Sequence, residues 1–405
     1  VKPIIIIIII IIIIIIHSHD ALFLLKNSLS MPKLLYLLRT ADCCENPLLA
    51  TFDNMLRSGL SGILNVELTD TQWLQTSLPV SNGGRGIRSA QMLAPSAFLA
   101  SAASTHDLQQ AILPDCIRSL NDESVPQAET SWISLPSSEL PAIESQHIQR
   151  AWDKPIAEHH EATVLSQATA DIDKARLLAA SSPHSGDWLA ASPITSVGLR
   201  LSDEEIRIAV AHRLGCRACE PHTCKCGKLV DARGLHGLAC RRSGPRHQRH
   251  SHLNDILWRA MKRAQIPAIK EPVGLMRQDG KRPDGSTILP WSRGKPLAWD
   301  VTVPDTYADT HLSHSAIKAG TAANQAAANK INKYLNLAAT HIFVPVAIET
   351  AGTWHYQAIE LIQEIGKRTA SITGDQRETV FLFQQLSVAL QKGNAVSFRY
   401  TFAAR

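Results

Sequence analysis

Glycine is sparse and proline no more than ordinary for a chain of this length, 21 of each in 405 residues, and neither recurs at a fixed period, which excludes a collagen-like rod. Eight cysteines, five of them between Cys216 and Cys240, do not make a small disulfide-stapled scaffold. Charged residues are only 19% against 45% apolar, so the chain is not of the fully disordered class. It can bury a core large enough for two or three domains. No internal repeat of solenoid length is present.

One long apolar run exists, the thirteen isoleucines of residues 4–16. As a helix it would span about 20 Å, short of the roughly 30 Å of a bilayer core. Continuing it to Leu25 would bury His17, His19 and Asp20 at a high cost. No small-residue cleavage site follows, as a signal peptide would require. The run reads as a low-complexity, aggregation-prone leader and implies no membrane partner. With Val1 in first place, the sequence reads as a piece of a longer reading frame.

The net charge of +5 hides a strong asymmetry. Residues 101–210 hold 7 Lys/Arg against 16 Asp/Glu, whereas residues 211–300 hold 18 against 7. A block of net +11 points to a phosphate-rich partner, or to an ordinary solvated face.

Periodicity divides the chain further. Residues 30–112 are helical and Leu-rich, with a turn at Asn82-Gly83-Gly84. Residues 120–145, rich in Ser, Pro and Glu, read as a linker, and further helices follow over 148–180. Ser202 and Glu205 form a capping box for a helix through Arg213. Leu253, Ile256, Leu257, Ala260, Met261 and Ala264 make one apolar helix face. The period then shortens: residues 286–290, 296–303 and 341–348 read as strands, with a helix over 315–337 and two more around 354–367 and 376–392. The expected fold is α+β and multidomain: a leader over 1–30, a helical region over 31–200, a zinc knuckle over 201–245 and a mixed α/β domain over 246–405.

Cys224-x-Cys226 is followed by His236 and Cys240, two close ligand pairs joined by a loop, which is what tetrahedral zinc needs. Gly227, Gly234 and Gly237 supply tight turns. Cys216, Cys219 and His222 compete for the same ligand positions. Buried, reduced thiols are the plainer reading, but the polar, Gly-rich surroundings offer them no core. Three thiolates close the coordination shell, so the zinc would be structural.

Lys281-Arg282-Pro283-Asp284-Gly285 precedes one strand, and Asp300 sits inside the next. Acids on neighbouring strands can share divalent ions, which polarise a phosphodiester and activate water. Oxygen ligands favour Mg²⁺ or Mn²⁺. Glu271 could add a third carboxylate, and Lys330 and Lys333 a positive helix face that stabilises charge on phosphate. Asp284-Gly285 is also a good turn in itself, and the lysines an ordinary solvated face. Asp300, in an apolar strand, is harder to dismiss, because an unpaired carboxylate there is costly.

The ordered series Cys-x-Cys, His, Cys, Arg249-His250, Arg282-Pro283-Asp284, Asp300 and Lys330-x-x-Lys333-Tyr334 resembles the C-terminal end of non-LTR retrotransposon polyproteins. Pro32-Lys33-Leu34-Leu35-Tyr36-Leu37-Leu38-Arg39 looks like the region after the reverse transcriptase palm, so the resemblance runs from about residue 20 to the C-terminus. It implies a restriction-like endonuclease domain of the PD-(D/E)XK type that nicks target DNA in the nucleus, freeing a 3′-hydroxyl that primes reverse transcription of element RNA. Asp284 and Asp300 would be the magnesium-binding acids, Lys330 or Lys333 the nuclease lysine with Tyr334 beside it, and Cys224, Cys226, His236 and Cys240 the zinc ligands. Arg241, Arg242, Arg246, Arg249, His250, Lys281 and Arg282 would grip DNA. Asp300-Val301-Thr302 has no lysine two places after the acid, so the lysine must come from the helix. No Tyr/Phe-x-Asp-Asp motif occurs, so no polymerase activity is expected of this chain. The alternatives are a nucleic-acid-binding zinc module without cleavage, or a decayed element copy.

Overall fold

A computed structural model describes residues 17–118, 123–134, 139–240, 242, 244–276 and 280–402; the isoleucine run and Arg241 lie outside them. Helix makes up about 59% of the structure and strands form two small sheets, so the fold is mixed α/β. The chain divides into two compact units, Val1–Gln167 and Ala168–Arg405. The expected helical region of 31–200 therefore does not coincide with the first unit. Its last part, from Ala168, packs with the second, where the Arg176 guanidinium donates to the Arg213 carbonyl at 2.6 Å.

In the first unit, α2 (Ala90–Ile112) packs against α1 (Pro47–Leu64), α3 (Ser124–Ile133) and α4 (Gln149–Ser166). The start of α2 is held by a buried carboxylate: Asp53 accepts from Ser89 Oγ at 2.5 Å and from Ala90 N at 2.7 Å. Helix α3 corrects the expectation of a linker at 120–145. Pro126 sits in its first turn, where a missing N–H costs nothing, and Trp132 is fully buried, edge-on to Trp152 with the ring centres 5.2 Å apart.

The second unit is built on a four-stranded sheet in the order β3 (Ala268–Lys270), β4 (Gly285–Thr287), β5 (Leu297–Thr302), β6 (Ile342–Ala347). The first two pairings are antiparallel and β5–β6 is parallel, with α9 (Thr321–Lys333) in the connection. Leu297, Trp299 and Val301 alternate onto one face of β5. There they meet Leu253, Leu257 and Met261 of α8 (Pro245–Arg263), Ile362 of α10 (Tyr356–Thr373) and Phe383 of α11 (Glu378–Arg399). Asp300 falls on the opposite face, the side on which Ala323 and Ala327 of α9 pack against Ala347 of β6. Gly285 admits Trp299: a methyl group in its place would lie 2.0 Å from the indole. Among the described residues no helix is long and apolar enough to cross a membrane.

Candidate functional site

Two ligand clusters lie in the second unit. The first begins with a ribbon of β1 (His222–Thr223) and β2 (Leu229–Val230), paired His222↔Val230 and Thr223↔Leu229. Its turn carries Cys224 and Cys226. Cys224 N donates to the Lys228 carbonyl at 2.9 Å, and Gly227 takes a φ of 88°, a value side-chain-bearing residues rarely adopt. Helix α7 (His236–Ala239) and the residue after it bring in His236 and Cys240.

The four ligand atoms all lie within 4.8 Å of one another. Cys224 Sγ and Cys240 Sγ are 3.8 Å apart, and Cys226 Sγ and His236 Nε2 are 3.2 Å apart. Two sulfurs bound at ~2.3 Å to a tetrahedral zinc stand about 3.8 Å apart, so donor set and spacing both fit zinc. The backbone N–H of Lys228 holds the Cys226 thiol below its ordinary range, and burial lowers His236; each favours the form that binds metal. The competing ligands are engaged elsewhere. Cys216 is buried, its thiol pushed up to about 11; Cys219 Sγ contacts the Asp231 carbonyl at 3.4 Å; and His222 Nε2 meets Thr401 Oγ1 at 2.8 Å.

The second cluster is acidic. His250, Asp284 and Asp300 place ligand atoms within 4.8 Å of one another, from α8, the residue before β4, and β5. Asp284 is locked on every side. Its Oδ2 accepts from Val301 N at 2.6 Å and faces His250 Nε2 at 2.9 Å. Its carbonyl accepts from Asn254 Nδ2 at 3.2 Å and Glu271 N at 2.9 Å, and its N–H donates to Trp299 O at 3.0 Å. His250 Nε2 also lies 3.0 Å from the Val301 carbonyl, so it faces two acceptors and carries the proton. The hydrogen bond to Asp284 holds the His250 pKa above its ordinary value.

Asp300 is 2% exposed, and Lys330 Nζ donates to its Oδ1 at 2.5 Å. Burial, then the nearby Asp284 charge, pushes the Asp300 carboxyl up, while Lys330 pulls it down. Three elements thus converge on one point: β5 supplies an acid, the approach to β4 a second, and α9 a lysine. The set offers two carboxylates and one imidazole, a mixture that fits a divalent ion such as Mn²⁺ and suits Mg²⁺ less closely.

The other expected site residues divide. Lys333 stands on Tyr334, its Nζ 2.8 Å from the phenol oxygen, and that hydroxyl donates to Arg282 O at 2.6 Å. Of the two lysines it is therefore Lys330 that reaches the acids. Glu271 does not join them: its exposed side chain pairs with Arg282, and only its backbone, at a φ of 48°, touches Asp284. Arg249 is a correction. It is 2% exposed, donating to Asn394 Oδ1 at 2.6 Å and to Leu238 O at 3.3 Å, so it cannot grip a phosphate. Arg242, Arg246 and Lys281 are exposed, as a phosphate contact requires.

His250 is the member misplaced by sequence reasoning, which put it among the DNA-gripping residues. The signal was present: three and seven residues before Leu253 and Leu257, it lies on their buried helix face. Asn254, a second polar residue on α8, was missed altogether. It accepts from Trp299 Nε1 at 2.9 Å while donating to Asp284. No protein-family model matches the chain, and a search of curated proteins finds no match.

Proposed function

We propose that this chain is the C-terminal part of a non-LTR retrotransposon polyprotein, with a restriction-like domain that nicks target DNA using a divalent ion. The observation that supports it best is the meeting of Asp284, Asp300 and Lys330 from three separate elements, at a place where an apolar strand would not otherwise tolerate an acid. The Cys224, Cys226, His236, Cys240 cluster would be the knuckle, its zinc structural.

Asp284 and Asp300 would hold Mg²⁺ or Mn²⁺, with His250 as third ligand once its Nε2 proton is given up. Such an ion, when bound, polarises the phosphodiester and lowers the pKa of a neighbouring water. The chain's own residues do the rest. Val301 N, Asn254 and Trp299 O fix Asp284 before substrate arrives, so little reorganisation is needed during reaction. Lys330 places a positive charge beside Asp300, where the phosphate's extra negative charge would develop. The reaction is hydrolysis: a water oxygen bonds to phosphorus, the bond from phosphorus to O3′ breaks, and a proton passes from water to the leaving oxygen. The products are a 5′-phosphate and the 3′-hydroxyl from which element RNA would be copied. Exposed Arg242, Arg246 and Lys281 would hold the backbone without reading its sequence.

A supercoiled-plasmid assay with Mg²⁺ or Mn²⁺ tests this. The expected result is metal-dependent nicking, lost by at least about a hundredfold in Asp284→Ala and Asp300→Ala. Folded protein that binds DNA in a salt-sensitive way but never nicks it would overturn the endonuclease and leave a binding module.

A further inference from the structure

A cavity of about 670 Å³ has Tyr334 in its wall. The phenol oxygen of Tyr334 bonds Arg282 O, next to the acid centre, while its ring packs 4.9 Å from Phe343 in the cavity wall. One aromatic side chain thus reaches both the acid centre and the cavity. Neither Asp284, Asp300 nor Lys330 lines the cavity, so the hydrolytic chemistry gives no account of it.

Its lining has a consistent chemistry. Trp291 and Phe343 offer flat aromatic surface, and the Arg368 guanidinium lies 3.9 Å over the Trp291 ring and holds it in place. Arg293, Lys295 and His341 also line it, and no carboxylate does. Arg293 and Gly294 have φ of 50° and 74°, the two left-handed positions of the tight turn that carries Arg293 to the rim. Aromatic planes and cations, in a space of small-ligand size, match a flat heterocycle attached to an anionic chain.

We propose that this cavity receives an unpaired nucleobase of the DNA strand that is cut, so that the substrate is single-stranded or locally opened DNA. The inference rests on the reading of the neighbouring acids as a DNA-cleaving centre, and it narrows that reading. A base inside a duplex is stacked on both faces and cannot enter; one already unpaired enters at little cost. The cavity then selects by strand state, and the acids act on a phosphate of the strand so anchored.

The test is equilibrium binding of the full-length chain, in EDTA, to a labelled oligothymidylate and to a duplex of equal length at fixed salt. The single strand is expected to bind more tightly. Trp291→Ala should weaken single-strand binding about tenfold and leave duplex binding unchanged, and Trp291→Phe, which keeps a ring, should restore most of it. A strand with one abasic position should reproduce the loss in the unaltered protein. Equal binding of the two DNAs, or a Trp291→Ala loss that is absent or the same for both, would overturn the cavity's role. Because EDTA removes cleavage from the measurement, the two readings can fail separately. A chain that never nicks yet shows the Trp291-dependent preference keeps the base site, and one that nicks but is indifferent to Trp291 loses it.

Discussion

Arg246 and Arg249 lie less than one turn apart on the same helix and have opposite environments. Arg246 is exposed and donates to the Ala239 carbonyl at 3.3 Å, whereas Arg249 is sealed between Asn394 and Leu238, its pKa lowered by burial to about 10. From sequence the two look alike, because charge is read as exposure and nothing local marks a buried guanidinium. They are expected to separate on substitution. Arg249→Ala should cost about 3 kcal/mol in urea unfolding, since it orphans Asn394 Oδ1 and removes a packed stem. Arg246→Ala should leave stability within about 0.5 kcal/mol and reduce the salt dependence of DNA binding by about one phosphate contact. Asp300 was legible for the converse reason. A lone acid in Leu297-Ala298-Trp299-Asp300-Val301 can persist only with a partner, and Lys330 is that partner.

Among the elements, those with a strong period or cap were readable. The Ser202–Glu205 capping box closes as expected, and β5 and β6 follow their apolar runs. What failed was short or compositionally disguised. β3 has only three residues, too few for any alternation to show, and α3 hides behind Ser, Pro and Glu although Trp132 anchors it. The Cys/His cluster was readable as a metal site with Cys224, Cys226, His236 and Cys240 as its ligands, whereas the exclusion of Cys216 and Cys219 follows only from where the chain carries them. That distinction sets a prediction. Purified protein should carry one zinc per chain by colorimetric release; Cys226→Ser should lose it and Cys219→Ser should keep it. Chelation should expose the ribbon and α7 to protease, because the ligand bonds are folding energy for a segment with so little core.

At the scale of the whole molecule, the second unit buries titratable groups that make its stability depend on pH. His212 on α6 (Asp203–Leu214) is buried beside Phe398, and burial lowers its pKa to about 4. The unfolded chain, with an ordinary histidine value, binds that proton more readily, so the contribution is intact above about pH 6.5 and falls away toward pH 4. Its size is about 3 kcal/mol. Buried Glu349, whose carboxyl is pushed up, titrates in the opposite sense, so a comparison is needed. The difference in urea midpoint between the unaltered chain and His212→Gln should shrink as pH falls from 7 to 4; a difference that stays constant would show that His212 is not buried neutral. None of this was readable beforehand, since burial of a helix residue by a partner nearly two hundred positions away leaves no local trace.

Helix α8 has a last implication, one of chain spacing. Arg249 ties it to Leu238 of α7, while His250 and Asn254, one turn apart, both hold Asp284. Successive helix residues are rotated by about 100°, so adding or deleting one residue between Arg249 and Asn254 would swing one set of contacts away while keeping the other. The stretch from Arg249 to Asn254 is a ruler of fixed length.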